Sequence, residues 1–147
     1  MSFAPDISEV LARARADLRM GVPIVLGDLL VLAAETLSAA RLKDVMALDG
    51  AAMLAITARR AQTLKARAYD GDLARIVLPR DATLAWVQSI ADPADDLRAP
   101  MKGPLDTARD GDAVGYDTAL SLTKAARLLP AVLTSRLSDG TAFAQAH

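Results

Sequence analysis

Apolar positions recur every three or four residues over the first twenty and then close up into continuous runs, a change of period that separates a helix from strands. Ile7, Val10, Leu11, Ala14 and Leu18 share one helical face, while Arg13, Arg15, Asp17 and Arg19 fall largely on the other. Asp6 with Glu9 three residues later has the form of a capping box, and Gly21 supplies the stop. Val22 to Leu26 and Leu29 to Ala34 are short apolar runs joined by Gly27-Asp28. That pairing predicts two strands in a tight two-residue hairpin, the second ending in the carboxylate of Glu35.

Further along, Ser38 is expected to cap a helix carrying Leu42, Val45, Met46 and Leu48, ended by Asp49-Gly50. Ala51 to Ile56 reads as a buried strand, and Thr57 caps a short helix with Arg59, Arg60, Ala61 and Leu64. Lys65 to Leu73 reads as a loop. Arg75 to Leu78 is a strand stopped by Pro79, after which Asp81 caps a helix from Ala82 to Ile90 with Trp86 packed beside its apolar side. From about 91 to 114 turn residues dominate, and an irregular loop is expected. Asp117 then caps a helix through Leu120, Leu122, Ala125, Ala126 and Leu129, stopped by Pro130. Ala131 to Leu137 is a strand, Ser138-Asp139-Gly140 a turn, and the rest a short tail. Alternating helices and strands with one early hairpin predict an α/β (α+β) fold, a mixed twisted sheet flanked by helices in one domain spanning 1–147.

Composition narrows the chemistry. Of 147 residues 52% are hydrophobic but only 3% aromatic, so the core has to be aliphatic. Seventeen basic and 18 acidic residues leave a net charge of -1, which offers no general field for nucleic acid or anionic membrane. Cysteine is absent, removing disulfides, thiolate nucleophiles and cysteine-held metals. The first six residues have no basic region leading into an apolar core, and the longest apolar stretch is interrupted at Gly27-Asp28. The expectation is a soluble cytoplasmic domain.

Few residues have the makings of a site. The single histidine, His147, is terminal, which disfavours serine–histidine catalysis. Asp28 and Glu35 bracket one strand seven residues apart, so strand parity sends them to opposite faces. Asp92, Asp95 and Asp96 form one acidic cluster and Asp106, Asp110 and Asp112 another, and solvated loop carboxylates explain both better than a cation site. Gly111 to Gly115 precedes a helix, but Asp112 would repel phosphate and no lysine follows. Residue types and spacing assemble no active site.

The run Gly27-Asp28-Leu29 with Ala33-Ala34-Glu35 resembles the 3,4-dihydroxy-2-butanone 4-phosphate synthase family of riboflavin biosynthesis. The resemblance extends over most of the chain. Leu18 to Gly21 resembles the family's opening segment, and Leu54, Ile56-Thr57 and Arg60-Ala61 its Leu-Thr-x-x-Arg-Ala stretch. Gly115 with Ala119, Leu122, Ala125 and Arg127-Leu128 resembles its last helix, and Ala131 to Leu133 with Asp139-Gly140-Thr141 its closing strand and turn. Family chemistry is largely missing from the matched positions. The acidic Mg²⁺ loop expected before Gly27 is deleted, Tyr116 stands where a metal-binding histidine is expected, Met53 replaces a cysteine, and Ala113 replaces an arginine. The phosphate-binding segment has no counterpart between Leu78 and Asp92.

The resemblance therefore implies a degenerate domain with no catalytic residue, no metal and no cofactor, whose vestigial pocket comprises Asp28, Thr57 and Tyr116. It is similar to the domain that precedes the catalytic part of some proteobacterial GTP cyclohydrolase II proteins. It further implies a homodimer and a structural or regulatory role, while the balanced charge argues for no nucleic-acid or membrane partner. The alternatives are Mg²⁺-dependent conversion of ribulose 5-phosphate, and a small-ligand sensor built on the vestigial pocket.

Overall fold

The structure is a computed structural model that describes residues 6–48, 51–66, 71–96, 105–108 and 115–137. In chain order it contains α1 (Ile7–Arg19), β1 (Ile24–Leu26), β2 (Leu29–Ala33), α2 (Ala39–Met46), β3 (Ala52–Thr57), α3 (Ala58–Thr63), β4 (Leu73–Val77) and α4 (Leu84–Ala91). A 3-10 turn at Pro93–Asp95, β5 (Thr107–Ala108), α5 (Tyr116–Ala125) and β6 (Ala131–Arg136) complete it. The strands form one six-stranded sheet in the order β1-β2-β6-β3-β4-β5.

The β1–β2 hairpin pairs Leu26 with Leu29 across Gly27-Asp28. Gly27 has φ of 65° and Asp28 does not share the positive φ, the pattern of a type II′ loop, whose twist matches the strands it joins. The sheet is the expected α+β architecture with helices on it. Every pairing among the described strands is antiparallel, so the mixed direction anticipated from the alternation of elements does not arise. β6, the last strand in sequence, lies between β2 and β3 at the centre of the sheet.

Strand alternation divides the core in two. Leu30, Leu32, Leu54, Ile56, Ile76 and Leu133 face α2, α3 and α4, meeting Leu42, Val45, Ala61, Val87 and Ile90. Leu29, Val31, Ala33, Ala55, Leu73 and Val132 face α1 and α5, meeting Leu18, Tyr116, Ala119, Leu120 and Leu122. The central strands are covered on both sides, which is why they read as unbroken apolar runs rather than alternating ones. Truncating one of their fully buried leucines to alanine removes transfer energy and leaves a cavity, about 2–5 kcal/mol together.

Several helix ends differ from expectation. The capping box of α1 forms, with the Asp6 carboxylate accepting from Glu9 N at 2.9 Å. Ser38 and Thr57 likewise cap α2 and α3. α4, however, starts at Leu84 with Thr83 rather than Asp81 as its cap, because the Thr83 hydroxyl reaches Trp86 N at 3.1 Å. α5 starts at Tyr116, ahead of Asp117; its N-cap is Gly115, which has no side chain to accept, and Asp117 sits in the first turn, where a carboxylate suits the helix dipole. α5 also stops at Ala125, short of Leu129. The stretch expected to be irregular contributes a 3-10 turn and β5, which pairs Thr107 with Ile76 at the sheet edge. Asp49-Gly50, Ser138 to Gly140 and the terminal tail lie outside the described residues.

Candidate functional site

Asp28 stands in the hairpin loop, half-exposed, and its carboxylate is paired with Arg136 at the end of β6, Nη1 to Oδ1 2.5 Å. The register makes this pairing unavoidable: Leu29 lies opposite Arg136, and Asp28 carbonyl accepts from Leu137 N at 2.7 Å. Beside them Tyr116, the first residue of α5, is buried. Two guanidinium groups lie over its ring, Arg136 at 5.6 Å and Arg75 at 5.4 Å from the ring centroid. Its hydroxyl points to the Met53 sulfur at 4.0 Å. Arg75 itself is buried on β4, on the face covered by α5. Cations over an aromatic face are attracted by its quadrupole, worth about 0.5–1 kcal/mol when exposed and ~2 or more when desolvated. Asp28 and Tyr116 thus share one end of the sheet, linked through Arg136, with Arg75 also over the ring.

Thr57 does not join them. It ends β3 four residues, about 13 Å of extended backbone, beyond Met53, the strand residue that the Tyr116 hydroxyl reaches. There its hydroxyl oxygen accepts from Arg60 N at 3.1 Å and caps α3. Arg60 in turn reaches across to the end of α4. Nε donates to Ile90 carbonyl at 2.7 Å and Nη2 to Ser89 carbonyl at 3.1 Å, while both Nη atoms grip Asp96, at 2.7 and 2.8 Å. The carbonyls at a helix C-terminus carry partial negative charge, so a guanidinium is well placed there. Next to this clamp opens a cleft of about 290 Å³, with Thr57, Arg59 and Thr63 on one side and Ala91, Pro93, Leu129 and Pro130 on the other.

Glu35 lies at the Thr57 end of the sheet, where its carboxylate accepts from Leu129 N at 3.3 Å, so the two acids that bracket the second strand do not meet. Asp92 is engaged locally, accepting from Ala94 N at 2.9 Å, and Asp96 is held by Arg60, which accounts for two members of the first acidic cluster. Among the described residues no three His, Asp or Glu side chains come together as a metal site would need. Asp110, Asp112 and Gly111 lie outside those residues. Trp86 packs half-buried against the aliphatic core, as its helical spacing suggested. No helix among the described residues is long and apolar enough to cross a membrane. The residues that sequence reasoning missed are Arg75 and Arg136, which lie over the buried ring of Tyr116, and Asp96 as the partner of Arg60. A buried arginine in an otherwise apolar strand was the available signal for Arg75; the others depend on contacts across the sheet.

No family model matches the chain, and no curated protein does. Among solved structures, the chain is similar to the crystal structure of RibBX, a two-domain 3,4-dihydroxy-2-butanone 4-phosphate synthase from A. baumannii. The TM-score is 0.60 at 17% identity, over 93% of this chain and 53% of that one. The chain thus spans about half the length of the protein it resembles. Identity that low carries the fold rather than the chemistry, and the fold of this chain is dihydroxybutanone phosphate synthase-like.

Proposed function

We propose that this is a non-catalytic synthase-like domain associated with riboflavin biosynthesis, serving as a structural or regulatory module. The observation that carries the reading is the occupied end of the sheet around Asp28. Asp28 is paired with Arg136, whose guanidinium also lies over the Tyr116 ring, and Arg75 lies over the same ring. A hard divalent cation needs several oxygen ligands in a pocket of low steric demand. Here one carboxylate faces a cation of the protein's own, and an aromatic ring stands at the position where the family resemblance calls for a ligand.

Within this reading the domain works as part of a larger assembly. RibBX, to which the chain is similar, is a two-domain protein, which supports a second domain in the same polypeptide; the partner we propose is GTP cyclohydrolase II. Ile7 and Val10 are exposed on the N-terminal half of α1, and Met20 follows at its C-terminal end. The exposed pair Ile7 and Val10, one helical turn apart, is the contact we propose for self-association as a homodimer. Assay of the purified protein with ribulose 5-phosphate and excess Mg²⁺ tests the central claim, and no turnover is expected. Turnover that disappears in Asp28→Ala would establish the enzyme instead. Sedimentation of the protein beside Val10→Asp tests the dimer: a monomeric parent protein removes that part of the reading.

A further inference from the structure

We propose that the cleft between α3 and the Leu129-Pro130 turn binds a small organic monocarboxylate with an apolar body. The site is separate from the Asp28–Tyr116 end of the sheet, and it stands or falls independently of whether the protein turns over a sugar phosphate.

The polar groups of the cleft select the ligand head. Arg59 lines it, is exposed, and has no hydrogen-bond or ion-pair partner for its side chain among the described residues. Thr57 lines it as well. Its oxygen is already used as an acceptor by Arg60 N, which leaves the hydroxyl hydrogen to donate. Thr63 spends its own hydrogen on Arg59 carbonyl at 3.2 Å. The remaining charges cancel, since both Asp96 oxygens accept from Arg60. What is on offer is one unpaired guanidinium and one hydroxyl donor. That combination matches a group that only accepts hydrogen bonds and carries a single negative charge, a carboxylate. A phosphate dianion would be left with half its charge unmatched.

The opposite wall selects the body. Ala91, Pro93, Leu129 and Pro130 bring apolar side chains to the cleft. The volume, about 290 Å³, lies just below the roughly 300–1,000 Å³ usual for ligand pockets, which suits a short branched chain or one ring better than a nucleotide. The clamp from Arg60 to Asp96, Ser89 and Ile90 fixes the floor, so little ordering is needed on binding.

The probes are benzoate and isovalerate, followed by amide chemical shifts of the full chain. Saturable shifts are expected at Thr57, Arg59 and Leu129, with a dissociation constant at or below ~1 mM. Arg59→Gln, a surface change that leaves the fold intact by its own spectrum, weakens binding at least tenfold, while Arg59→Lys retains part of it. Benzamide, neutral and of the same shape, binds at least tenfold more weakly than benzoate. Any of four results overturns the proposal: no saturable shift with either acid, shifts that map elsewhere, binding indifferent to Arg59→Gln, or inorganic phosphate binding as tightly as benzoate.

Discussion

Replacing Arg60 by methionine probes the clamp that ties α3 to the end of α4. Methionine keeps most of the aliphatic stem and deletes four hydrogen bonds: two to Asp96 and one each to the Ser89 and Ile90 carbonyls. The magnitude is bracketed by burial. Exposed ion pairs contribute ~0.2–1 kcal/mol, and breaking a fully buried one costs ~3–5 kcal/mol. The Arg60 side chain is 11% exposed and that of Asp96 29%, so water can recover part of what the carboxylate loses. We expect Arg60→Met to cost about 2–3 kcal/mol. In a chain of this length each kcal/mol moves the melting temperature by ~2–4 °C, which gives a fall of roughly 5–10 °C. Urea unfolding should show a lower midpoint with an unchanged slope, since the surface exposed on unfolding is the same. A double-mutant cycle with Asp96→Asn isolates the pair, and a coupling of about 1–2 kcal/mol is expected. A destabilisation under ~0.5 kcal/mol, or a coupling within the ~0.3 kcal/mol noise of such cycles, would falsify the clamp.

Three further outcomes are expected, each read by urea unfolding. Gly21→Ala should cost about 2 kcal/mol or more, because φ is +76° and the new Cβ would lie 2.6 Å from Thr36 carbonyl, whereas Arg127→Gly, at φ 63°, should gain about 0.5 kcal/mol. Equal effects of the two would refute the assignment of their backbone conformations. Ser135→Ala should be neutral or up to ~1 kcal/mol more stable, since its buried hydroxyl has no partner among the described residues, while Thr134→Val should lose about 1 kcal/mol by breaking the bond to Met53 carbonyl at 3.0 Å. Tyr116→Leu should cost about 2–3 kcal/mol through lost packing and lost cation–π attraction, and Tyr116→Phe under ~1 kcal/mol, so a large loss in the phenylalanine variant would show that the hydroxyl rather than the ring matters.

Local signals in the chain were legible where the physics is local. The capping box at Asp6 and Glu9, the Gly27-Asp28 loop, and the caps at Ser38 and Thr57 each involve groups two or three residues apart, and all form. Helix ends were less legible when the stop is made by an unlikely residue. α1 ends in a Schellman motif through Gly21, with Val22 N donating to Asp17 carbonyl at 2.8 Å. α3 and α5 end in the same motif, Ala66 N to Ala61 carbonyl and Leu128 N to Thr123 carbonyl, but the left-handed residues are Lys65 and Arg127. Nothing in a lysine or an arginine announces a positive φ, so α5 was read four residues too long.

The candidate site divides in the same way. The sequence by itself determined which residues are chemically able to act: the cysteine-free composition, Asp28 in its tight loop, Thr57 at a helix start, and Tyr116 just ahead of the expected helix cap at Asp117. Only the tertiary structure decided which of them meet. β6 enters the sheet between β2 and β3, bringing Arg136 to Asp28 from 108 positions away, and β4 lays Arg75 under Tyr116. The same sheet holds Thr57 at its other end and sets Arg60 against Asp96 across 36 positions. Capping is settled by hydrogen bonds within one turn, whereas strand order is settled by burying two apolar faces at once. That second condition is a property of the whole chain, and no single stretch of it carries the answer.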